Sequence, residues 1–118
     1  MNIVKRFSFV PAEKPVFEVV LGDEAKTVLH IQFPTKAGYE RIESIQKRIE
    51  DQVDGSFSEL SEMLYSLAVE IMSCNVENIT FNADELREKY NVSLGYLQAF
   101  FEAYTDFING VIAENSKN

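Results

Sequence analysis

Val16-Phe17-Glu18-Val19-Val20-Leu21, then Gly22-Asp23-Glu24-Ala25, then Thr27-Val28-Leu29-His30-Ile31-Gln32-Phe33-Pro34 is the stretch that decides the fold class. Side chains of an extended strand alternate between two faces. In the first run Phe17, Val19 and Leu21 share one face, opposite Val16, Glu18 and Val20. In the second run Leu29, Ile31 and Phe33 oppose Val28, His30 and Gln32. Two alternating runs around a turn signal read as a β-hairpin with one buried face. Phe7 and Phe9 also alternate and can add a third strand, although Pro11 and Pro15 break the link between them. Two strands alone are marginal in water, so helices are expected to cover the hairpin.

Behind Pro34 the chain has no further proline and is free to be helical. Thr35 can cap a helix over 36–53 whose Ile42, Ile45, Ile49 and Val53 form a narrow apolar stripe. Gly55 stops it, and Ser56-Phe57-Ser58-Glu59 is a capping box. The helix it opens, 57–74, carries Phe57, Leu60, Met63, Leu64, Leu67, Ala68, Ile71 and Met72 at helical spacing and is expected to be the principal core element. Asn75 to Phe81 reads as a connector in which Val76, Ile79 and Phe81 can pack. Asn82-Ala83-Asp84-Glu85 caps a short helix ending near Tyr90, and Ser93 caps a long one from Leu94 to about Ala113. The expected fold is α+β: an N-terminal hairpin region over 1–34, a mainly helical bundle of about four helices over 35–113, and a frayed polar tail over 114–118, all in one domain.

The charge is one-sided. Eleven Lys and Arg face nineteen Asp and Glu, a net of −8. Residues 1–36 are near neutral, whereas 37–118 hold six basic and fifteen acidic residues. Such a surface repels nucleic-acid phosphates and anionic membranes; it serves solubility or attracts a basic partner. The N-terminal residues lack the apolar run of a signal peptide, and no stretch has the length of a membrane span. With a single cysteine, Cys74, no internal disulfide is possible. A cytoplasmic protein is expected.

Little in the inventory can perform chemistry. Nucleophilic hydrolysis needs a hydroxyl or thiol next to a base, and the only histidine is His30, read here as a half-exposed sheet residue. Cys74 has no neighbour in sequence that would lower its pKa and reads as a small semi-buried apolar side chain. The carboxylates Glu40, Glu43, Glu50, Asp51, Glu59 and Glu62 lie on exposed helix faces, without the pocket that separates the pKa values of an acid–base pair. One His and one Cys do not make a zinc site, and the glycines are scattered singly. No catalytic residue, metal or cofactor is therefore assigned. A helix–turn–helix outline over 83–101 suggests DNA binding, yet the second helix carries no Lys or Arg between Leu94 and Ala113, which argues against a groove-reading role.

That last helix is the most aromatic part of the chain. Leu94, Leu97, Phe101, Tyr104, Ile108 and Ile112 form one stripe; Tyr96, Phe100, Phe107 and Val111 form a second beside it. Together they are wider than a helix lying on one core needs. Either the helix is wedged between two neighbours, or the second stripe is open and Tyr96, Phe100, Phe107 and Val111 bind a partner or another copy.

The layout resembles the tail assembly chaperones of long-tailed bacteriophages and prophages of Gram-positive bacteria. The likeness is carried by Phe33-Pro34-Thr35-Lys36-Ala37-Gly38 at the end of an apolar strand, by Tyr65-Ser66-Leu67-Ala68-Val69-Glu70-Ile71-Met72, and by the segment from Ala83-Asp84-Glu85-Leu86 to Phe107-Ile108-Asn109-Gly110. It spans roughly 16–113 and consists of patterns of size and polarity. The resemblance implies a non-catalytic protein of the host cytoplasm that binds the tape measure protein and keeps its apolar helices soluble. It also implies help for major tail (tube) protein subunits as they polymerise, self-association, and absence from the mature virion. A longer frameshifted form is common in that family. Rival readings are another small tail or head-completion protein, or a helix–turn–helix regulator.

Overall fold

The computed structural model describes residues 15–52 and 55–116. Its fold is α+β: a two-stranded antiparallel hairpin followed by four helices. Strand β1 (Val16–Val20) pairs with β2 (Val28–Gln32) in the register Phe17 opposite Ile31 and Val19 opposite Leu29. The alternation places Val19, Leu21, Leu29 and Ile31 in the core, with Val16, Val20 and Val28 exposed on the other face. Phe7 and Phe9, the candidates for a third strand, lie outside the described residues.

The turn is closed by its own side chains. Asp23 accepts hydrogen bonds from the backbone N–H and the hydroxyl of Thr27. These contacts, led by the hydroxyl, hold the Asp23 carboxyl below the usual carboxylate range. Gly22 lets the turn dock: its N–H donates to the Tyr90 carbonyl at 3.1 Å, and a Cβ there would meet the Asn91 carbonyl oxygen at 3.1 Å. A side chain at this position would push apart the turn and the segment between the last two helices.

Helix α1 (Lys36–Asp51) starts at Thr35, whose hydroxyl accepts from the Gly38 N–H at 3.1 Å. Helix α2 (Phe57–Met72) is capped by Ser56 through the Glu59 N–H, as the capping box predicts. Helix α3 (Ala83–Glu88) is capped by Asn82, and α4 (Leu94–Ser116) has the Ser93 hydroxyl accepting from the Tyr96 N–H. Each cap satisfies an amide that the helix cannot bond internally. α4 runs past Ala113 into the stretch expected to fray, because neither a proline nor a terminal glycine stops it.

One expectation for α2 needs correction. Its C-terminal half is the centre of the core, with Leu67, Ala68, Ile71 and Met72 buried. Its first turns are not: Phe57 is 74% exposed, and Leu60, Met63 and Leu64 are only half-buried. α2 is also buried on a flank that the stripe did not include. Tyr65 is buried, its hydroxyl donates to the Val92 carbonyl at 2.7 Å, and the Arg87 guanidinium lies 4.2 Å from its ring centre.

Asn75 organises the connector between α2 and α3. It is buried, and its amide donates to the carbonyls of Met72 (2.7 Å) and Ile79 (2.8 Å) while accepting from the Ile79 N–H (2.9 Å). Around it the chain meets β2: the Gln32 N–H donates to the Cys74 carbonyl and the Val76 N–H to the His30 carbonyl. The connector thus acts as a partial third partner for the hairpin and buries Phe81, while Val76 stays exposed. Removing the amide takes a partner from one buried backbone group and two partly buried ones. Asn75→Ala is expected to lower stability by about 2 kcal/mol, read as a shift of the urea midpoint with an unchanged slope.

Candidate functional site

The second aromatic stripe of α4 faces the hairpin. Phe17 on β1 stacks on Phe107 at 5.5 Å between ring centres and meets Phe100 and Tyr104 at 6.0 Å each. Phe33, just beyond β2, approaches Phe107 edge-on at 6.4 Å. Phe100 is buried, whereas Tyr96, Phe107 and Val111 are half-buried. The Tyr96 hydroxyl donates to the Val20 carbonyl at 2.8 Å, and burial raises its pKa. Of the two readings of this stripe, the structure takes the wedged one. Tyr96, Phe100 and Phe107 cover the hairpin, so the expectation that they stand open to a partner is corrected, whereas Val111 lines an open recess beside Phe33 and Pro34. The physical reason is the hairpin's own need for cover.

The first stripe, expected to be wholly internal, is the one that opens to solvent. Leu97, Tyr104 and Ile108 are buried, but Phe101 is half-exposed and Ile112 is 46% exposed. Phe101 borders a groove between α4 and α1. One section of about 310 Å³ is lined by Ile49 and Glu50 of α1, by Phe101 and Tyr104 of α4, and by a floor of Leu64, Leu67 and Ile71 from α2. A second section of about 120 Å³ continues it between Tyr39, Ile42 and Gln46 on one wall and Tyr104, Thr105 and Ile108 on the other. The start of α1 therefore lies beside the later turns of α4, and its end beside Phe101. From Tyr39 to Ile49 this wall is about 15 Å long, or roughly three helical turns. The floor follows helical spacing outward through Leu60 to Phe57, where the exposed start of α2 extends it.

The groove's inner wall is uncharged. Burial, followed by the neighbouring Cys74 and Tyr39, holds the Tyr104 hydroxyl well above the usual tyrosine range, so it stays neutral at physiological pH. Charge sits on the rim instead. Glu50 borders the groove, and Glu102 and Asp106 flank Phe101 and Thr105 on the outer side of α4. An apolar trough with polar edges can hold an amphipathic helix; it presents no nucleophile and no base.

The titratable groups lie elsewhere. His30 is half-exposed, as its place in the strand implies, but Glu77, 47 residues on in the connector, reaches it from outside the hairpin. The Glu77 carboxylate accepts from the His30 N–H at 3.0 Å and contacts the ring Nδ1 at 2.6 Å; Glu18 stands 3.7 Å from Nε2. The Glu77 hydrogen bond is the chief cause of a raised His30 pKa, and the His30 backbone N–H is the chief cause of a lowered Glu77 pKa. Cys74 is half-buried, and burial pushes its thiol pKa up, away from reactivity. Arg87 is held by Glu62 and Asp84, which occupies the one cation of α3's last turn. Among the described residues no group of three or more His, Cys, Asp or Glu side chains is placed to hold a metal ion, and no helix is long and apolar enough to cross a membrane.

What these features define is a hairpin-and-bundle fold with an open groove between α1 and α4. Compared with family models, with curated proteins and with solved structures, the chain matches none of them.

Two substitutions of adjacent phenylalanines separate the two faces of α4. Phe100→Asp buries a carboxylate in the hairpin seam and is expected to cost more than about 3 kcal/mol. Phe101→Asp, at the groove, is expected to cost about 1 kcal/mol or less and to keep the native circular dichroism spectrum. For the His30–Glu77 contact the signs differ. His30, with its pKa raised, contributes stability below its ordinary value of about 6.5, and that part is lost as pH rises through the raised value. Glu77, with its pKa lowered, contributes above its ordinary value of about 4.3, and that part is lost on acidification. Both are present near pH 5.5. The gap between the urea midpoints of the native chain and Glu77→Gln should be larger at about pH 5.5 than at about pH 8.5.

Proposed function

We propose that the chain is a non-catalytic tail assembly chaperone of a long-tailed phage or prophage of Gram-positive bacteria. It binds the tape measure protein in the host cytoplasm, assists tail-tube subunits, and is left out of the mature virion. The observation that carries this reading is the apolar groove between α1 and α4, floored by α2 and extended by the exposed Phe57. A client rich in apolar helix needs such a surface, and the acidic exterior keeps chaperone and client soluble. The sequence resemblance over 16–113 supplies the identity of the client. The burial of Tyr96, Phe100 and Phe107 on the hairpin moves the client surface from the second stripe of α4 to Phe101, Tyr104 and Ile108. Self-association belongs to the same reading, through apolar surface outside the groove such as Val16, Val20 and Val28 on the open face of the hairpin.

Co-expression with the tape measure and tail-tube proteins encoded beside it tests the role. The chain is expected to raise the soluble fraction of the tape measure protein severalfold, and Phe101→Asp to abolish most of that gain. Mass spectrometry of purified tails is expected to find the chain missing. Its presence there at a fixed stoichiometry would make it a structural tail or head-completion component and overturn the proposal.

A further inference from the structure

We infer that the groove between α1 and α4 selects a single amphipathic helix of a partner protein whose apolar side is flanked by Lys or Arg. This rests on the protein-binding reading above and deepens it by naming the chemistry of the occupant. Length is the first ground. Walls about three turns long suit one helix that presents apolar residues at i, i+3, i+4 and i+7. Charge is the second. Glu50 borders the groove, and Glu102 and Asp106 flank its α4 side. Glu43, two turns before Glu50 on α1, is exposed on the same side by helical spacing. Among the described residues none of these four carboxylates has a salt-bridge partner. Lys36 and Lys47 are the cations of α1 nearest that edge in the helical projection, two against four carboxylates, and α4 has none between Leu94 and Ala113. The rim is therefore net acidic and complements a basic border.

The same charges disfavour a second copy. The exposed apolar helix that this chain could offer, Phe57 and Leu60 at the start of α2, is bordered by Glu59 and Glu62. Docking it in the groove would set acid against acid, which like-charge repulsion disfavours.

Fluorescence anisotropy on the full chain with synthetic peptides of about 18 residues tests the inference. One peptide carries Leu at helical spacing with Lys flanks. A second replaces Lys by Glu, and a third scrambles the first so that its Leu residues no longer share a face. The Lys-flanked helix is expected to bind about tenfold tighter than the Glu-flanked one at low salt, the sum expected of a few exposed ion pairs. Salt should shrink that ratio. The combined variant Glu50→Lys, Glu102→Lys, Asp106→Lys should reverse the preference; the single variant Glu102→Lys, at a fully exposed site, should halve it at least if the combined one does not fold. Phe101→Ala should weaken the Lys-flanked peptide by about tenfold with its circular dichroism unchanged. Equal binding of the Lys- and Glu-flanked helices overturns the inference, as does equal binding of the scrambled peptide. A dimer in sedimentation velocity that Phe101→Ala disperses also overturns it, in favour of a second copy. If no peptide binds while the chain still keeps the tape measure protein soluble, this inference falls and the chaperone role stands. If the Lys-flanked peptide binds as expected while that protein stays insoluble, the groove stands and the role falls.

Discussion

A sheet of two strands cannot stand alone in water, and the aromatic seam that covers this one organises the remainder of the molecule. Phe17 and Phe33 on the hairpin meet Phe100, Tyr104 and Phe107 on α4 at ring separations between 5.5 and 6.4 Å. Aromatic pairs at such distances contribute about 0.5–1.5 kcal/mol each beyond the area they bury. The seam commits one side of α4 to the hairpin. The hairpin's other edge is held by the connector around Asn75, so sheet, connector and last helix form one unit.

That commitment explains why a groove exists. α2 packs between α1 and α4 and separates them, and its buried half ends near Leu67. With one side of α4 taken by the hairpin and another by α2, the half-exposed Phe101 faces the gap beside α1. α1 contributes a thin stripe, Ile42, Ile45 and Ile49, which is too narrow to close the gap. The chain commits Phe100 and Phe107 to the hairpin and leaves Phe101 at an open trough. An interior filled to ordinary density would have no such trough.

Charge and titration follow the same division. The groove wall is neutral because its side chains carry no charge, and burial raises the Tyr104 pKa further, while the carboxylates stand at the edge. The cations that the helical region does have are partly engaged: Arg41 with Glu70 at 3.0 Å, and Arg87 with Glu62, Asp84 and the Tyr65 ring. These pairs leave the net charge unchanged, so the exposed surface keeps the acidic excess of the composition, which bears on the partners it admits.

Local signals in the sequence determined the elements. Alternation over 16–21 and 27–33 located the hairpin and its buried face, because strand periodicity and one-sided burial are properties of neighbouring residues. Thr35, Ser56, Asn82 and Ser93 marked all four helix starts for the same reason: a cap acts on amides two or three residues away. Tertiary structure decided which of two apolar stripes on α4 would be covered, since both have helical spacing and only the position of the hairpin distinguishes them. It also exposed Phe57, buried Tyr65 against α3, and brought Glu77 to His30 across 47 residues of chain. Those outcomes depend on which elements become neighbours, a long-range property that periodicity does not encode. The groove belongs to this second kind: its residues were legible as apolar, and its openness arises only when α1, α2 and α4 are set side by side.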